Sequence, residues 1–182
     1  MRANKHYPFK VLLGIWLFFN VQTPLQALSF EENAVLAALS LNIVRFTTWP
    51  TASRPDTPGT VDFCVVGDNL VQQSFAAIDN KPVGENTLRI INLSRLSNFE
   101  QCDVLFLSEL KQNILLQVLL EIKKLPLLSI GTGSDFAEQG GMVGLENVDN
   151  KMNLHINIAS VREANLSISS RLLSLAKIID KQ

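Results

Sequence analysis

Residues 61–70 read VDFCVVGDNL, and this stretch decides the fold class of the 182-residue chain. Five of the six positions from 61 to 66 are apolar, which is typical of a strand covered on both faces. Gly67 then breaks the strand, and Asp68 has the side chain of a helix N-cap. The following NLVQQSFAAI is therefore predicted to be a helix, so the stretch opens a β-α unit.

Strand and helix patterns go on alternating after this unit. Further strands are predicted at TLRIINL, DVLFLS and PLLSIG, and a helix at KQNILLQVLLEIKK lies between the last two. Such alternation implies parallel strands joined by right-handed crossovers. We therefore predict an α/β fold with a mostly parallel, Rossmann-like sheet and helices on both faces.

The pattern changes near the C-terminus. MVGLEN and KMNLHINI flank the turn VDN and predict a hairpin, with His155 on its polar, exposed face between Asn153 and Asn157. The last stretch predicts a short helix, a turn at Asn165 and a final helix. The inward residues of that final helix are predicted to be Leu172, Leu175, Ala176 and Ile179.

On the N-terminal side, FEENAVLAALSLNIVRF has helical spacing. Ser29 and Glu32 form a capping box, which predicts the helix start. The helix ends before TTWPTASRPDTPGT, whose prolines predict a loop. Val35, Leu39, Ile43 and Phe46 are predicted to form one inward apolar face, which Ala34, Ala38 and Leu41 widen, so the helix is predicted to pack on two sides.

The first 27 residues have the pattern of a secretory signal peptide. MRANKHYPFK is basic, VLLGIWLFFNV is apolar but shorter than a membrane span, and a small-residue cleavage point follows Ala27. The prediction is thus a signal peptide at 1–27 and one exported domain at 28–182. An uncleaved N-terminal anchor is the alternative.

Charge and composition argue against several function classes. Without the leader, the domain has 13 Lys and Arg and 17 Asp and Glu, a net charge of about −4. Nucleic-acid-binding domains are usually basic, so this charge argues against nucleic-acid binding. The domain has one histidine, His155, and no G-x-S-x-G motif, which leaves little for a serine hydrolase. No metal-ligand pair occurs at short spacing, so we expect no metal or cofactor and no enzymatic activity.

Neither glycine-containing turn fits a phosphate group. GDNLVQ lacks the G-x-G-x-x-G pattern, and Asp68 would repel a phosphate. GTGSDFAEQGG has four glycines but no G-K-[ST], so it is not a P-loop. Its glycines are expected to occupy turns that need a positive φ.

The two cysteines lie in or beside predicted strands. Cys64 is inside the first strand of the parallel sheet, and Cys102 directly precedes DVLFLS. In a doubly wound sheet ordered 2-1-3 those strands are neighbours, close enough for a disulfide. An even cysteine count in an exported protein favours the same pairing, with two buried free thiols as the alternative.

Several blocks of the chain resemble the YfiR family of periplasmic proteins. They are NIVRFTTWP, FCVVGDN, CDVLFLSE, LSIGTGSDFAEQGGMVGL and INIASVREANLSISSRLLSLA, and the resemblance covers about residues 31–178. The chain departs from the family at Thr48, where members often carry an acid. It also has no cysteines for the second disulfide found in some members.

The resemblance implies a non-enzymatic, dimeric periplasmic regulator. Such a protein binds the periplasmic part of a membrane diguanylate cyclase and represses it, and an OmpA-like outer-membrane lipoprotein can sequester the repressor. The family's inter-strand disulfide corresponds to Cys64 and Cys102. A small-ligand-binding periplasmic domain is the alternative, with its site expected near Gly67, Ser108–Glu109 and Gly131–Gly133.

Candidate partner contacts follow from the segments that could reach the surface. They lie on the first helix, in the loop 134–141, where Phe136 is expected to present an exposed aromatic ring, and near the C-terminus. The residues are Asn42, Arg45, Trp49, Phe136, Glu138, Ser169 and Arg171.

Overall fold

A computed structural model describes residues 25–50 and 59–180, with side chains from residue 31 onward. The strands are β1 (Thr47–Thr48), β2 (Thr60–Val66), β3 (Pro82–Val83), β4 (Asn86–Asn92), β5 (Val104–Leu107), β6 (Leu128–Thr132), β7 (Val143–Val148), β8 (Lys151–Asn157), β9 (Ser167–Ile168) and β10 (Lys177–Ile179). The helices are α1 (Leu25–Arg45), α2 (Asn69–Ala76), α3 (Gln112–Ile122), α4 (Asp135–Glu138), α5 (Ile158–Glu163) and α6 (Ser170–Leu173), with a 3-10 turn at Phe99–Gln101.

Within these ranges, eight strands form one sheet in the order β10-β8-β7-β6-β5-β2-β4-β3. Neighbouring strands are parallel except in the β7–β8 and β4–β3 pairs. A separate two-stranded ribbon pairs β1 with β9. The predicted α/β fold, with a mostly parallel sheet and a C-terminal hairpin, is confirmed.

The sheet has a hydrophobic core on each face. Phe63 and Val65 of β2 point into the core shared with α1 and α2. Cys64 and Val66, the alternate residues, point into the core shared with α3 and α4. Both faces of β2 are thus buried, which explains why its sequence is apolar at nearly every position.

The Gly-Asp turn after β2 is a helix start, as its sequence predicts. The Asp68 Oδ1 atom accepts a hydrogen bond from the Val71 backbone N–H at 2.9 Å. A Cβ atom on Gly67 would come within 2.7 Å of Val71 Cγ1, so a larger residue would push this helix off the strand. The turn is therefore built for close helix–strand packing.

The β7–β8 hairpin closes through the predicted Asp-Asn turn. Asp149 and Asn150 have φ angles of 51° and 62°, the left-handed pair that a tight two-residue turn requires. The turn sets the register in which Val148 lies opposite Lys151.

The predicted start and inward face of α1 are wrong in part. The helix already includes Leu25, so Ser29 lies inside it and is not its N-cap. Val35 is 45% exposed, and the buried side contains Leu36, Ala37, Leu41, Ile43 and Val44. The helix has more apolar residues than one face can hold, so the sequence pattern alone does not determine which side of the helix faces the core. The predicted loop after α1 is wrong at its two ends, since Thr47–Thr48 form strand β1 and Thr60 begins β2. Residues 1–24 of the predicted leader and residues 51–58 of that loop lie outside the described residues.

The predicted final helix is also wrong. It ends after one turn at Leu173, and Lys177–Ile179 forms strand β10 beside β8. Leu175, predicted to point inward, is 76% exposed. Pairing with β8 overrides the helical spacing here, because the two β-branched isoleucines suit a strand equally well.

Candidate functional site

A disulfide joins the two cysteines in the middle of the fold. Cys64 of β2 and Cys102, two residues before β5, are bonded, with their Cα atoms 5.8 Å apart. Their strands are neighbours in the sheet, as the 2-1-3 order predicts. Cys64 is 0% and Cys102 6% exposed, so an external thiol has no direct access to the bond. The pair therefore serves as a structural link between β2 and β5.

A charged network lies beside the disulfide at the amino ends of the strands. Arg89 donates to both carboxylate oxygens of buried Asp62, at 2.7 and 2.6 Å. The Asp62 backbone N–H donates to Asp103 Oδ2 at 2.8 Å. Hydrogen bonding to Asp62, and then its charge, raise the pKa of Arg89 above its usual value. The network ties β4, β2 and the start of β5 together, and Asp62 within an otherwise apolar strand was its one sequence signal.

Trp49 is anchored to the same network and is not a surface residue. It is 8% exposed, and its indole Nε1–H donates to the Asp103 carbonyl oxygen at 3.3 Å. The interpretation of Trp49 as a partner contact is therefore wrong. The buried ring fixes the chain that follows β1 against the start of β5.

Two of the predicted contact segments meet at one corner of the molecule. In the β1–β9 ribbon, Thr48 lies opposite Ser167. The Ser169 backbone N–H also donates to the Phe46 carbonyl oxygen at 2.9 Å. These bonds hold the end of α1 beside the start of α6. We call this surface the β1–β9 corner, and its exposed residues are Asn42, Arg45, Thr48, Ser167 and Arg171.

The β1–β9 corner is cationic in an otherwise acidic domain. Arg45 Nε donates to the Pro82 carbonyl oxygen of edge strand β3 at 3.1 Å, and one of its terminal nitrogens lies 3.4 Å from Asn42 Oδ1. Arg171 is exposed in the first turn of α6, whose N-cap is the side chain of Ser169. Two arginines thus lie beside the ribbon, Arg45 at the end of α1 and Arg171 in α6.

The other predicted contacts, Phe136 and Glu138, lie on α4 on the opposite face of the sheet. Phe136 is 1% exposed, so the expectation of an exposed aromatic is wrong. Its ring occupies the space left by Gly131 and Gly141, because a Cβ atom on either glycine would overlap it. Glu138 is exposed, but the structure does not bring it to the β1–β9 corner.

His155 is buried, which contradicts its predicted place on an exposed face. It is 5% exposed, and its Nε2 atom lies 3.0 Å from Glu146 Oε2. Helix α4 covers this face of the hairpin, since Asn157 Nδ2 donates to the Ala137 carbonyl oxygen at 2.8 Å. Across the described ranges, His, Cys, Asp and Glu form no group of three able to hold a metal ion.

A cleft lies at the carboxyl ends of β5 and β6, where the ligand-binding alternative places its site. Its volume is about 210 Å³. Glu109 at its rim has a φ of 57°, a left-handed conformation uncommon outside glycine. Of the residues predicted near this site, Glu109 and Thr132 line the cleft, whereas Gly67, Ser108, Gly131 and Gly133 do not. The lining residues are Leu107, Glu109, Leu110, Gln112, Leu115, Thr132, Asp135, Phe136 and Gln139.

Comparison with known proteins identifies the family of this fold. Residues 33–177 match the family model described as YfiR/HmsC-like. The chain belongs to the YfiR/HmsC-like family. No curated protein is significantly similar to it.

A solved structure has the same fold as this YfiR/HmsC-like chain. It is the crystal structure of a conserved domain protein from Vibrio cholerae O1 biovar El Tor, with a TM-score of 0.52 and 10% sequence identity. The match covers 80% of this chain but 59% of that one, so the chain spans less than two thirds of its neighbour's length. At this identity the likeness concerns the fold alone.

In residues 25–50 and 59–180, no helix has both the length and the apolarity needed to cross a bilayer.

Proposed function

We propose that this chain represses a membrane diguanylate cyclase by binding the cyclase's periplasmic sensor domain, and so lowers cyclic di-GMP. The observation that carries the proposal is the family match over residues 33–177. Repression requires a difference in affinity: the chain binds the inactive state of the sensor more tightly than the active state and shifts the population accordingly.

The β1–β9 corner is the proposed contact surface for the sensor. Hydrogen bonds and strand pairing fix the positions of its segments, so little conformational freedom is lost on binding. Its guanidinium groups favour a partner surface rich in Asp and Glu. We further propose that the chain acts as a homodimer. We also propose that an OmpA-like outer-membrane lipoprotein sequesters this chain and thereby relieves repression of the cyclase.

Binding to the purified periplasmic sensor domain tests the contact surface. The variant Arg171→Glu reverses an exposed charge at the corner and should raise the dissociation constant about tenfold. Lys151→Glu makes the same charge change at the exposed β7–β8 turn and should leave affinity unchanged. Equal affinities for both variants and the wild type would remove the corner from the interface.

Ligand binding remains a second candidate function because of the cleft at the ends of β5 and β6. Glu109 and Asp135 supply carboxylates there, and Leu110 and Leu115 supply an apolar wall. A small periplasmic metabolite bound in this cleft would raise the unfolding temperature of the wild type. Thr132→Trp, which fills the cleft, should abolish that rise, and a rise retained in this variant would place the ligand elsewhere.

A further inference from the structure

The cleft at the carboxyl ends of β5 and β6, which we call the β5–β6 cleft, has an apolar part and a polar part. Leu107, Leu110, Leu115 and Phe136 supply the apolar part. The polar part consists of the side chains of Glu109, Gln112, Thr132, Asp135 and Gln139. Among the described residues that line this cleft, none is a lysine, an arginine or a histidine. A ligand that fits it therefore combines an apolar portion with a polar group that suits carboxylates.

The charge around the β5–β6 cleft is negative. Glu109 and Asp135 contribute two unit charges to the lining, and the exposed Glu138 lies on the same short helix as Asp135. Two positive contributions oppose them. One is the exposed Lys111 beside Leu110, and the other is the amino end of α3, which is equivalent to about half a unit charge. Even with both counted in full the sum stays negative, so the cleft attracts a cation rather than an anion.

Gln139 adds a hydrogen-bond acceptor that lacks a donor. Its Nε2 atom donates to Asp135 Oδ2 at 2.6 Å, which fixes the orientation of the amide. The Oε1 atom of the same amide is buried and has no hydrogen-bond partner in the described part of the chain. The Gln139 side chain lines this cleft and also a neighbouring groove beside α3. A buried acceptor without a donor costs free energy, and an N–H group on a ligand would supply the missing donor.

The backbone of Glu109 is a further sign that its carboxylate has a use. Its φ of 57° is a left-handed conformation, which costs free energy for a residue that has a side chain. A position selected for the turn alone would favour glycine, which adopts this conformation freely. Glutamate at this position instead places a carboxylate at the rim of the cleft.

From this chemistry we infer that the β5–β6 cleft binds a small alkylammonium ion. Its positive charge lies against the carboxylates of Glu109 and Asp135, and its alkyl chain lies against the leucines. A primary ammonium group has three N–H donors, and Glu109, Asp135 and Gln139 supply acceptors for them. The cleft volume of about 210 Å³ is below the roughly 300–1,000 Å³ of sites for drug-sized molecules, so the ligand is small.

This inference names the ligand class for the second candidate function, ligand binding in the same cleft, and rests on that candidate. It does not depend on repression of a cyclase. The β1–β9 corner is not part of the lining, so a ligand in the cleft and a partner at the corner make separate contacts.

Titration of the full exported protein with n-butylammonium chloride, followed by NMR at constant ionic strength, tests the inference. Resonances of the lining residues should shift, with a dissociation constant of about 1 mM, since so small a ligand makes few contacts. Butyrate and 1-butanol are the matched ligands, because butyrate has the opposite charge and 1-butanol has none. Each should bind at least about tenfold more weakly than n-butylammonium.

Substitutions at three positions test the role of charge. Glu109→Gln removes one carboxylate with little change of shape and should raise the dissociation constant about tenfold. Glu121→Gln makes the same change at an exposed position of α3 outside the lining and should leave it unchanged. Lys111→Gln removes the opposing positive charge and should keep or lower it. Glu109→Gly should bind as weakly as Glu109→Gln and yet unfold at a higher temperature than the wild type, because glycine relieves the backbone strain.

Four outcomes would overturn the inference. They are lining resonances that do not shift, butyrate or 1-butanol binding as tightly as n-butylammonium, equal dissociation constants for Glu109→Gln and Glu121→Gln, or weaker binding in Lys111→Gln. Cyclic di-GMP measured without the amine judges repression separately. A chain that represses but does not bind n-butylammonium would support the proposed repression and overturn this inference alone. A chain that binds n-butylammonium but does not repress would support this inference alone.

Discussion

Removing the disulfide should destabilise the protein strongly without removing any surface contact. In the Cys64→Ala/Cys102→Ala variant the 38-position loop between the cysteines is open in the unfolded state. Loop-closure entropy then lowers the free energy of unfolding by about 4 kcal/mol, which corresponds to a fall of roughly 8–16 °C in unfolding temperature for a domain of this size.

Replacement by serine should cost more than replacement by alanine. Cys64 is 0% exposed, so the hydroxyl introduced by Cys64→Ser would be buried among apolar neighbours without a partner. That adds about 1–3 kcal/mol to the loss. The order of stability should therefore be wild type, then the alanine pair, then the serine pair.

Urea unfolding with and without a reductant measures this effect. Reductant should lower the midpoint of the wild type and leave the alanine pair unchanged, and native wild type should show no thiol that reacts with a thiol reagent. A wild type whose midpoint ignores the reductant, or whose native form titrates two thiols, would refute the disulfide as the source of stability.

Three further substitutions probe the packing around the disulfide and α4. Arg89→Met leaves the buried Asp62 carboxylate without its guanidinium partner and should lower the urea midpoint. Arg95→Met, at an exposed position, should leave the midpoint unchanged. Equal midpoints for Arg89→Met and the wild type would contradict a structural role for the Arg89–Asp62 pair. Trp49→Phe keeps an aromatic ring but removes the hydrogen bond to the Asp103 carbonyl and part of the buried indole. Calorimetry should therefore find at least about 1 kcal/mol less stability, and no loss would argue against that bond. Phe136→Ala should cost about 3–5 kcal/mol in urea unfolding because it empties a fully enclosed site, and a loss below about 1 kcal/mol would mean that the ring is exposed after all.

Features set by local chemistry could be predicted from the sequence. The apolar run of β2, the Asp68 cap and the Asp-Asn turn each depend on residues within a few positions, and the structure contains all three. The pairing of Cys64 with Cys102 was predicted from an assumed 2-1-3 strand order together with the even cysteine count, and the structure places the two strands side by side.

Features set by distant packing could not be predicted in this way. The alternation of polar and apolar residues places His155 on the predicted face of its strand, but α4 packs over that face. The residues near His155 in sequence give no sign of this packing. Phe136 is enclosed because two glycines, one on either side of it in sequence, leave room for its ring. Strand β10 forms because β8 offers an edge, although the residues also fit a helix.

The proposed surfaces show the same division. The sequence suggested Arg45 and Arg171 separately, and the β1–β9 ribbon is what places them on one corner. Glu109 and Asp135 lie far apart in sequence, and the neighbouring ends of β5 and β6 bring them to one cleft.

Cyclic di-GMP in living cells decides whether this chain is a repressor. A membrane diguanylate cyclase with a periplasmic sensor domain is expressed with and without the full chain, and cyclic di-GMP is quantified in both cultures. Repression through the sensor predicts a several-fold fall with the wild type, and a smaller fall with Arg171→Glu. An unchanged level, with the chain present in the periplasm and the cyclase active, would contradict the proposed function.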